Sequence, residues 1–212
     1  MLISRDFFDR PSVQVAPDLL GCVLEHQTAA GLVAVELTEV EAYAGEADPA
    51  SHAYHGKTRR NAVMYGPPGH AYVYFTYGMY FCVNLVCLGE GTASAVLLRA
   101  GAVIEGEDLA RARRTRGKTV VPFRDLARGP ARLCQALDID RSQDGADVCV
   151  TRSPLRVRWP RARTPDRSEI KTGPRVGIAQ AAEVPWRFWL DGEPSVSVYR
   201  AHAPKGRKLV TP

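Results

Sequence analysis

Cysteine pairs, lysines and long hydrophobic runs are scarce in this sequence of 212 residues. Its five cysteines are odd in number and include no Cys-x-x-Cys pair of the kind that binds structural zinc, so we expect reduced core residues. No stretch approaches the roughly 18 apolar residues of a membrane helix. The start also lacks the basic and then apolar layout of a signal peptide. We therefore expect a soluble cytoplasmic protein with no membrane partner.

Residues for nucleophilic or metal-dependent chemistry are also few. No Ser or Cys lies in a nucleophile-elbow context, and no lysine near Glu39 and Glu41 is available to form a Schiff base. His52, His55 and His70 could join a carboxylate around a metal, but their spacing matches no helical His-Glu-x-x-His signature. We favour a structural or stacking role for these histidines and expect no metal and no cofactor.

The formal net charge of +5 is distributed unevenly along the chain. Residues 1–50 hold nine acids and two bases, whereas residues 51–212 hold fourteen acids and twenty-six bases. A basic face for a polyanion would explain this split, and so would an ordinary solvated surface. One stretch of the chain is especially rich in arginine, and either phosphate contacts or a solvated helix face would explain it. Its members are Arg111, Arg113, Arg114, Arg116, Lys118, Arg124, Arg128 and Arg132.

Short apolar patterns separated by turn signals predict a single α+β domain over residues 1–212, on a mostly antiparallel sheet. Segment 44–69 holds four glycines and three prolines, and long loops of this kind are usually functional. Segment 161–173 is polar and basic, so we expect a mobile loop there. Helices are expected at 11–20, 107–114 and 129–137, a β-hairpin at 70–86, and other strands at 22–25, 32–43, 94–99, 155–159, 175–179 and 187–190.

Glu39, Glu41 and Tyr43 alternate at the end of a predicted strand, so they project from the same face. Exposed strand acids commonly do no more than face solvent. These acids, however, precede the long loop that holds His52, and binding and catalytic residues are often found on such loops. Surface acids and catalytic carboxylates both remain open as interpretations.

The predicted hairpin contains four tyrosines within nine residues: Tyr72, Tyr74, Tyr77 and Tyr80. Cross-strand aromatic packing is one explanation. A ring at the Tyr77-Gly78 junction has no core to enter, however, and is well placed to wedge into a partner. Such a wedge suits a protein that enters a nucleic-acid groove and fills the gap left by a displaced base.

Several ordered sequence blocks resemble the alkyladenine (3-methyladenine) DNA glycosylase family, in its bacterial type. The resemblance runs from residues 18–21 to residues 186–188, which is nearly the whole chain. The strongest blocks are Glu39-Val40-Glu41-Ala42-Tyr43, His52, Tyr72-Val73-Tyr74, Tyr77-Gly78-Met79-Tyr80-Phe81-Cys82-Val83-Asn84, Leu97-Leu98-Arg99, Gly129-Pro130 with Leu133-Cys134-Gln135-Ala136-Leu137, and Arg175-Val176-Gly177.

The resemblance implies a curved sheet with a protruding β-hairpin, similar to the C-terminal domain of methionyl-tRNA formyltransferase. It also implies a monofunctional, nucleoid-associated enzyme of base excision repair, which acts as a monomer on damaged double-stranded DNA from the minor-groove side. The enzyme would flip out an alkylated purine and hydrolyse its N-glycosidic bond, leaving an abasic site. 3-Methyladenine is the implied substrate, and 7-methylguanine, hypoxanthine and ethenoadenine are further candidates.

The catalytic residues that the resemblance implies are Glu41, Arg99 and Val176. Glu41 would activate a water molecule that Arg99 and the backbone carbonyl of Val176 also hold. Cleavage of a purine N-glycosidic bond builds oxocarbenium character on the sugar. A carboxylate beside the anomeric carbon can therefore stabilise positive charge and deprotonate the attacking water.

The base-recognition residues follow from the same resemblance. Tyr43, His52 and Tyr74 would hold the flipped base between aromatic rings, and Asn84 would crowd the exocyclic amine of guanine. Tyr77 would intercalate into the vacated DNA stack. Because alkylation makes the purine cationic, electron-rich rings would favour it through cation–π attraction worth roughly 0.5–2 kcal/mol.

The sequence departs from the family pattern at Arg59, where many relatives carry proline. This difference affects the rigidity of the loop beside His52 and leaves the breadth of the pocket undecided.

Two other functions stay open on the sequence alone. A DNA-binding module without catalysis would make Glu41 a mere surface acid, but Arg99 and Val176 accompany it. A tRNA- or nucleotide-processing enzyme of the same fold would not require Tyr77 at a hairpin tip.

Overall fold

Four helices and eight strands form the part of the chain that this computed structural model describes, residues 1–115 and 120–203. The helices are α1 (Arg5–Phe8), α2 (Ser12–Asp18), α3 (Glu107–Arg114) and α4 (Pro130–Leu137). The strands are β1 (Val23–Thr28), β2 (Gly31–Tyr43), β3 (Ala71–Thr76), β4 (Tyr80–Val86), β5 (Ala95–Glu105), β6 (Leu155–Arg158), β7 (Ile170–Gly173) and β8 (Arg187–Leu190). Short 3₁₀ turns lie at Gly45–Ala47, Ala62–Tyr65, Phe123–Asp125, Arg141–Gln143 and Arg167–Glu169.

All eight strands belong to one sheet, in which the pairings are antiparallel. The main order is β3-β4-β5-β2-β1-β6. Along one edge β2 pairs with β5, and along the other it pairs first with β1 and then, at residues 39–41, with β8. The mixed fold on an antiparallel sheet is therefore confirmed. The curvature of the sheet and the likeness to methionyl-tRNA formyltransferase stay predictions.

A β-bulge interrupts the pairing of β2 with β5 beside the two acids. Glu39 pairs with Ala100 and Val40 pairs with Leu98, so Arg99 is an extra residue on β5. In an unbroken ladder Arg99 would stand opposite Val40 and project from the other face of the sheet. Because a bulge redirects the side chain, Arg99 reaches the face on which Glu39 lies.

The two faces of the sheet are covered by different parts of the chain. Alternate residues of β3 and β5 point to opposite faces. Val73 and Leu98 pack in the main core, together with buried residues of α2, α3 and α4. Tyr72 and Ala95 instead pack in a second cluster, which includes Met64 from segment 44–69. The long segment that the sequence predicted as a functional loop therefore covers the face opposite the main core.

Most elements that the sequence predicts are present, but two predictions were wrong. Segment 175–179 forms no strand, because the side chain of Arg175 is buried in an ion pair away from any ladder. The second half of segment 161–173 is ordered as a 3₁₀ turn and β7, which pairs with β8. The sequence of β7 contains a single large apolar residue, Ile170, and so carries no strand signal of its own.

Two other expectations concern the cysteines and the membrane. Four cysteines are buried, Cys149 is half-buried, and all five are free thiols, as predicted. Within residues 1–115 and 120–203, none of the helices combines the length and the apolar character that crossing a membrane requires.

Candidate active site

A cavity of about 260 Å³ lies between the segment 44–69, the β3–β4 hairpin and the segment 176–178. Its volume is just below the roughly 300–1,000 Å³ of pockets that enclose drug-sized ligands, and so suits one small ring system. The cavity brings together seven of the eight site residues predicted from the sequence, which lie far apart along the chain. These are Tyr43, His52, Tyr74, Tyr77, Asn84, Arg99 and Val176.

Glu41, the eighth predicted residue, is fully buried and contacts three residues of the cavity wall. Its Oε2 accepts a hydrogen bond from the Tyr43 hydroxyl at 2.9 Å. Its Oε1 accepts the backbone N–H of Val176 at 2.7 Å and lies 3.2 Å from Nη1 of Arg99. The resemblance implied a role for the Val176 carbonyl, whereas in this structure the N–H of Val176 contacts Glu41. Two hydrogen-bond donors, the Tyr43 hydroxyl and the Val176 N–H, therefore fix the orientation of this carboxylate, and the guanidinium of Arg99 complements its negative charge.

Glu39 is also fully buried, two residues earlier on the same face of β2. Its Oε1 lies 2.7 Å from Nε of Arg99 and 2.8 Å from Nε of Arg187. Ser197 is the third partner of this carboxylate: its hydroxyl donates to Oε1 at 2.9 Å and its backbone N–H donates to Oε2 at 2.7 Å. The interpretation of these acids as solvent-facing is excluded. Sequence reasoning missed Arg187 and Ser197, whose contacts with β2 leave no local sequence signal.

The charges in this cluster are stabilised by their partners. Burial by itself raises the pKa of Glu39, but Arg99, Arg187 and the two Ser197 hydrogen bonds outweigh burial and bring that pKa below its ordinary value. Burial disfavours the charge of Arg99, but Glu41 and Glu39 more than compensate, so its pKa lies above its ordinary value. The guanidinium of Arg99 is therefore permanently charged beside Glu41.

The wall of the cavity contains the aromatic rings of Tyr43, His52, Tyr72 and Tyr74. The ring centroids of His52 and Tyr74 lie 4.5 Å apart in an edge-on arrangement, and Nδ1 of His52 lies 3.1 Å from the hydroxyl of Tyr72. Burial and the nearby Arg60 lower the pKa of His52, which is therefore neutral at pH 7. Burial raises the pKa values of Tyr43 and Tyr74 well above 10, so both hydroxyls keep their protons.

Asn84 and Arg60 also line the cavity; the sequence predicted Asn84 as a site residue but not Arg60. Asn84 is buried and donates from Nδ2 to the backbone carbonyl of Tyr72 at 3.2 Å. Arg60 was missed, although its guanidinium carbon lies 5.7 Å from the centre of the Tyr74 ring. Arg60 is thus a cation at the cavity, and no periodicity in segment 44–69 marked it out.

A second buried ion pair supports the cavity from behind. The guanidinium of Arg175 and the carboxylate of Asp48 are both inaccessible and form a bidentate pair, with N–O distances of 2.5 and 2.9 Å. Asp48 also accepts the backbone N–H groups of Ala44 and Ala50, while the guanidinium of Arg175 lies 4.7 Å from the Tyr43 ring. This pair therefore ties the start of segment 44–69 to the backbone that carries Val176.

The histidines considered for a metal site have different partners. His52 lines the cavity, the His55 ring lies tilted against the Tyr54 ring with centroids 4.8 Å apart, and His70 lies near Arg5 and the carbonyl of Pro67. Among the residues that the structure describes, no cluster of three or more His, Cys, Asp or Glu side chains could hold a metal ion.

The tip of the β3–β4 hairpin lies at the mouth of the cavity. Thr76 pairs with Tyr80, so Tyr77, Gly78 and Met79 connect the two strands, and Tyr77 and Gly78 both have positive φ angles, 52° and 70°. The Tyr77 side chain is 84 % exposed, and Met79 beside it is 62 % exposed. Cross-strand packing thus explains Tyr72, which is buried, but does not explain Tyr77.

The arginine-rich tract divides into two groups. Five of its arginines bond within the protein: Arg111 to Glu107, Arg113 to the carbonyl of Ala136, Arg114 to Gln135, Arg128 to the carbonyl of Val196, and Arg132 to Asp125. Arg124 is exposed, while Arg116 and Lys118 lie outside the described residues. These five contacts are internal to the protein, and both the phosphate contacts and the solvated helix face stay open as predictions.

Comparison with known proteins identifies the family. The sequence profile described as methylpurine-DNA glycosylase matches residues 6–194. A protein of Streptomyces avermitilis is 53% identical over 97% of this chain and 95% of its own length. A protein of Leifsonia xyli is 52% identical over 93% of this chain and 92% of its own length. A protein of Methanocella arvoryzae is 45% identical over 92% of this chain and 96% of its own length. Each of the three carries the name "Putative 3-methyladenine DNA glycosylase".

The fold, the cavity and these matches define the class of protein as a DNA glycosylase, a hydrolase that cleaves N-glycosyl bonds in base excision repair. This chain belongs to the methylpurine-DNA glycosylase family. The resemblance inferred from the sequence blocks is confirmed. DNA is therefore the substrate of this enzyme.

Replacing Asp48 with asparagine tests the supporting ion pair. Asp48→Asn leaves the charge of Arg175 buried without a counter-ion, and removing one partner of such a pair costs about 3–5 kcal/mol of unfolding free energy. We expect urea denaturation to show a loss of this size. The matched control is Asp166→Asn on the surface, where the side chain is 82% exposed and pairs weakly with Arg163. The control should cost less than about 1 kcal/mol, and equal losses in both variants would contradict the role of the buried pair.

Proposed function

We propose that this enzyme flips an alkylated purine out of double-stranded DNA into the cavity and hydrolyses its N-glycosidic bond with a water activated by Glu41, leaving an abasic site. The observation that carries the proposal is the placement of Glu41. This carboxylate lies behind a base-sized aromatic cavity, oriented by Tyr43, Val176 and Arg99. We expect 3-methyladenine as the first substrate, with 7-methylguanine, hypoxanthine and ethenoadenine as further candidates.

The chemical step is compatible with the contacts of Glu41. Each carboxylate oxygen can accept two hydrogen bonds, and Oε2 accepts one from Tyr43. No second donor to Oε2 lies among the residues that the structure describes, and we propose that a water molecule binds its other lone pair. As the glycosidic bond breaks, positive charge grows on the sugar and the negative carboxylate stabilises it. Transfer of a water proton to Glu41 then completes the attack, and the hydroxide oxygen joins the anomeric carbon.

Recognition of the damaged base would depend on the rings around the cavity. Tyr43, His52 and Tyr74 present π faces or edges, against which a cationic alkylated purine stacks better than an undamaged base. A neutral His52 adds no repulsion toward such a cation. Asn84 lies in the same wall, where its position supports a role in crowding the exocyclic amine of guanine.

The exposed hairpin tip supports entry from the minor groove. Flipping a nucleotide costs a few kcal/mol of stacking and pairing, and an inserted ring offsets part of that cost by stacking on the neighbouring base pairs. Tyr77 is both exposed and adjacent to the cavity, so one hairpin would fill the gap while the base enters the pocket. We propose that a single copy of the chain performs the whole reaction.

Glu41→Gln tests the proposed base. The amide keeps the shape of the side chain but can neither take the proton nor carry negative charge, so we expect base release to fall by about 100-fold or more. Binding to lesion-containing duplex should stay within about threefold of wild type, because shape and stacking are unchanged. Release of free base in single-turnover reactions and gel-shift titration measure the two effects.

The matched control for Glu41→Gln is Glu46→Gln. Glu46 is exposed in the neighbouring segment and bonds only the hydroxyl of Tyr65 among the contacts described. Glu46→Gln should release base at the wild-type rate. Wild-type base release by Glu41→Gln would refute the proposed mechanism.

Replacing Tyr77 tests the intercalating ring. Tyr77→Ala keeps an L-residue at the same positive φ, so the backbone strain is similar and the ring is the main difference. We expect Tyr77→Ala to lower the flipped fraction of a damaged base about tenfold, because the vacated stack stays open. Tyr77→Phe and Tyr77→Trp should retain most of the flipping, since the ring does the stacking. A fluorescent base analogue beside the lesion reports the flipped fraction. Normal flipping by a folded Tyr77→Ala protein would eliminate the wedge role.

A further inference from the structure

The segment of residues 195–200 has no helix or strand, yet it bonds to both sides of the candidate active site. Ser195 bonds Thr38 through their hydroxyls at 2.8 Å, and the carbonyl of Ser197 accepts Nη2 of Arg187 at 2.7 Å. Further along, the carbonyl of Arg200 accepts the backbone N–H of Gly177 at 2.9 Å. The 195–200 segment therefore contacts the strand that carries the acids and the loop that follows Val176.

Ser197 is the residue of this segment that meets the buried charges. It gives Glu39 two hydrogen bonds, one from its hydroxyl and one from its backbone N–H, and its hydroxyl also lies 3.4 Å from Nη2 of Arg99. The family profile ends at residue 194, so Ser197 lies outside the matched region. Nothing in the function proposed above uses either Ser197 or Glu39.

A guanidinium can face a carboxylate through one nitrogen or through two, and Arg99 faces Glu41 through one. A guanidinium prefers a bidentate pair with a carboxylate, in which two parallel N–H groups meet the two oxygens. Such a pair on Glu41 would use both of its oxygens and leave fewer lone pairs for water. In this structure Nε of Arg99 is bonded to Glu39, and only Nη1 faces Glu41, at 3.2 Å.

We propose that Glu39 and Ser197 are positioning residues, which hold Arg99 so that only its Nη1 faces Glu41 and the carboxylate stays free to accept a water proton. The inference rests on the proposed role of Glu41. Ser197 orients Glu39, Glu39 holds the Nε edge of Arg99, and Arg99 presents Nη1 to Glu41. Neither Glu39 nor Ser197 lines the cavity. Their effect is therefore on the chemical step and not on DNA binding.

The test removes only the hydroxyl of Ser197. Ser197→Ala loses one hydrogen bond to the ionised Glu39 but keeps the backbone N–H bond, so the fold should survive. We expect the single-turnover rate of base release to fall about tenfold, the size expected for one bond to a charged group. The Kd for a duplex with a 2′-fluorinated, cleavage-resistant damaged nucleotide should stay within about twofold. Ser197→Thr restores a hydroxyl and should restore most of the rate.

Val198→Ala is the matched control, since Val198 is the next residue and is 64% exposed. Thermal unfolding of each variant verifies that the fold is retained. A wild-type rate in Ser197→Ala, a rate lost equally in Val198→Ala, or a rate loss matched by weaker DNA binding would each overturn the positioning role. If Ser197→Ala is unstable, failure of Ser197→Thr to recover the rate in a folded protein would do the same.

Glu41→Gln assayed in parallel separates this inference from the proposed function. Base release by Glu41→Gln at the wild-type rate would remove the proposed function and the inference together. Loss of release in Glu41→Gln with a wild-type rate in Ser197→Ala would leave Glu41 as the base and overturn only the positioning by Ser197 and Glu39.

Discussion

Arg99 contacts two buried carboxylates at once, those of Glu39 and Glu41, and Arg187 supplies the second positive charge. Taking a single ion out of water costs several kcal/mol even after the protein relaxes, and mutual attraction offsets this cost only when the geometry is good and the remaining polar atoms are bonded. The cluster meets both conditions, because its charges balance and Ser197 bonds both oxygens of Glu39. Its members must therefore be assembled together, which constrains where β5, β8 and the 195–200 segment can lie.

The aromatic cavity depends on this cluster and on a second buried pair. Tyr43 connects the two, since its hydroxyl bonds Glu41 while the guanidinium of Arg175 stacks on its ring. Asp48 then ties Arg175 to the beginning of the segment that covers the cavity. The rigid part of the site is thus the sheet and its ion pairs, and the residues proposed to contact DNA lie on a hairpin tip outside it.

The sequence predicted strands and helices best where hydrophobic alternation or a capping residue gives a clear signal. The hairpin with its turn at Tyr77-Gly78, the helix at Glu107–Arg114 and the helix beginning at Pro130 are all present. β7 was missed because four residues with one large apolar side chain become a strand only when β8 lies beside them. The arginine tract was ambiguous for a related reason, since a sequence shows where cations are but not which carbonyls or carboxylates they meet.

Local periodicity determined that Glu39, Glu41 and Tyr43 share one face of a strand, and that a tyrosine stands at an exposed hairpin tip. The ordered sequence blocks determined the family and the residues that gather at the cavity. Only the tertiary structure decided that both acids are buried, that a bulge brings Arg99 to their face, and that Arg187, Asp48 and Ser197 complete the site. The physical reason is that side-chain direction follows from backbone geometry over a few residues, whereas burial and ion pairing depend on contacts between segments that are distant along the chain.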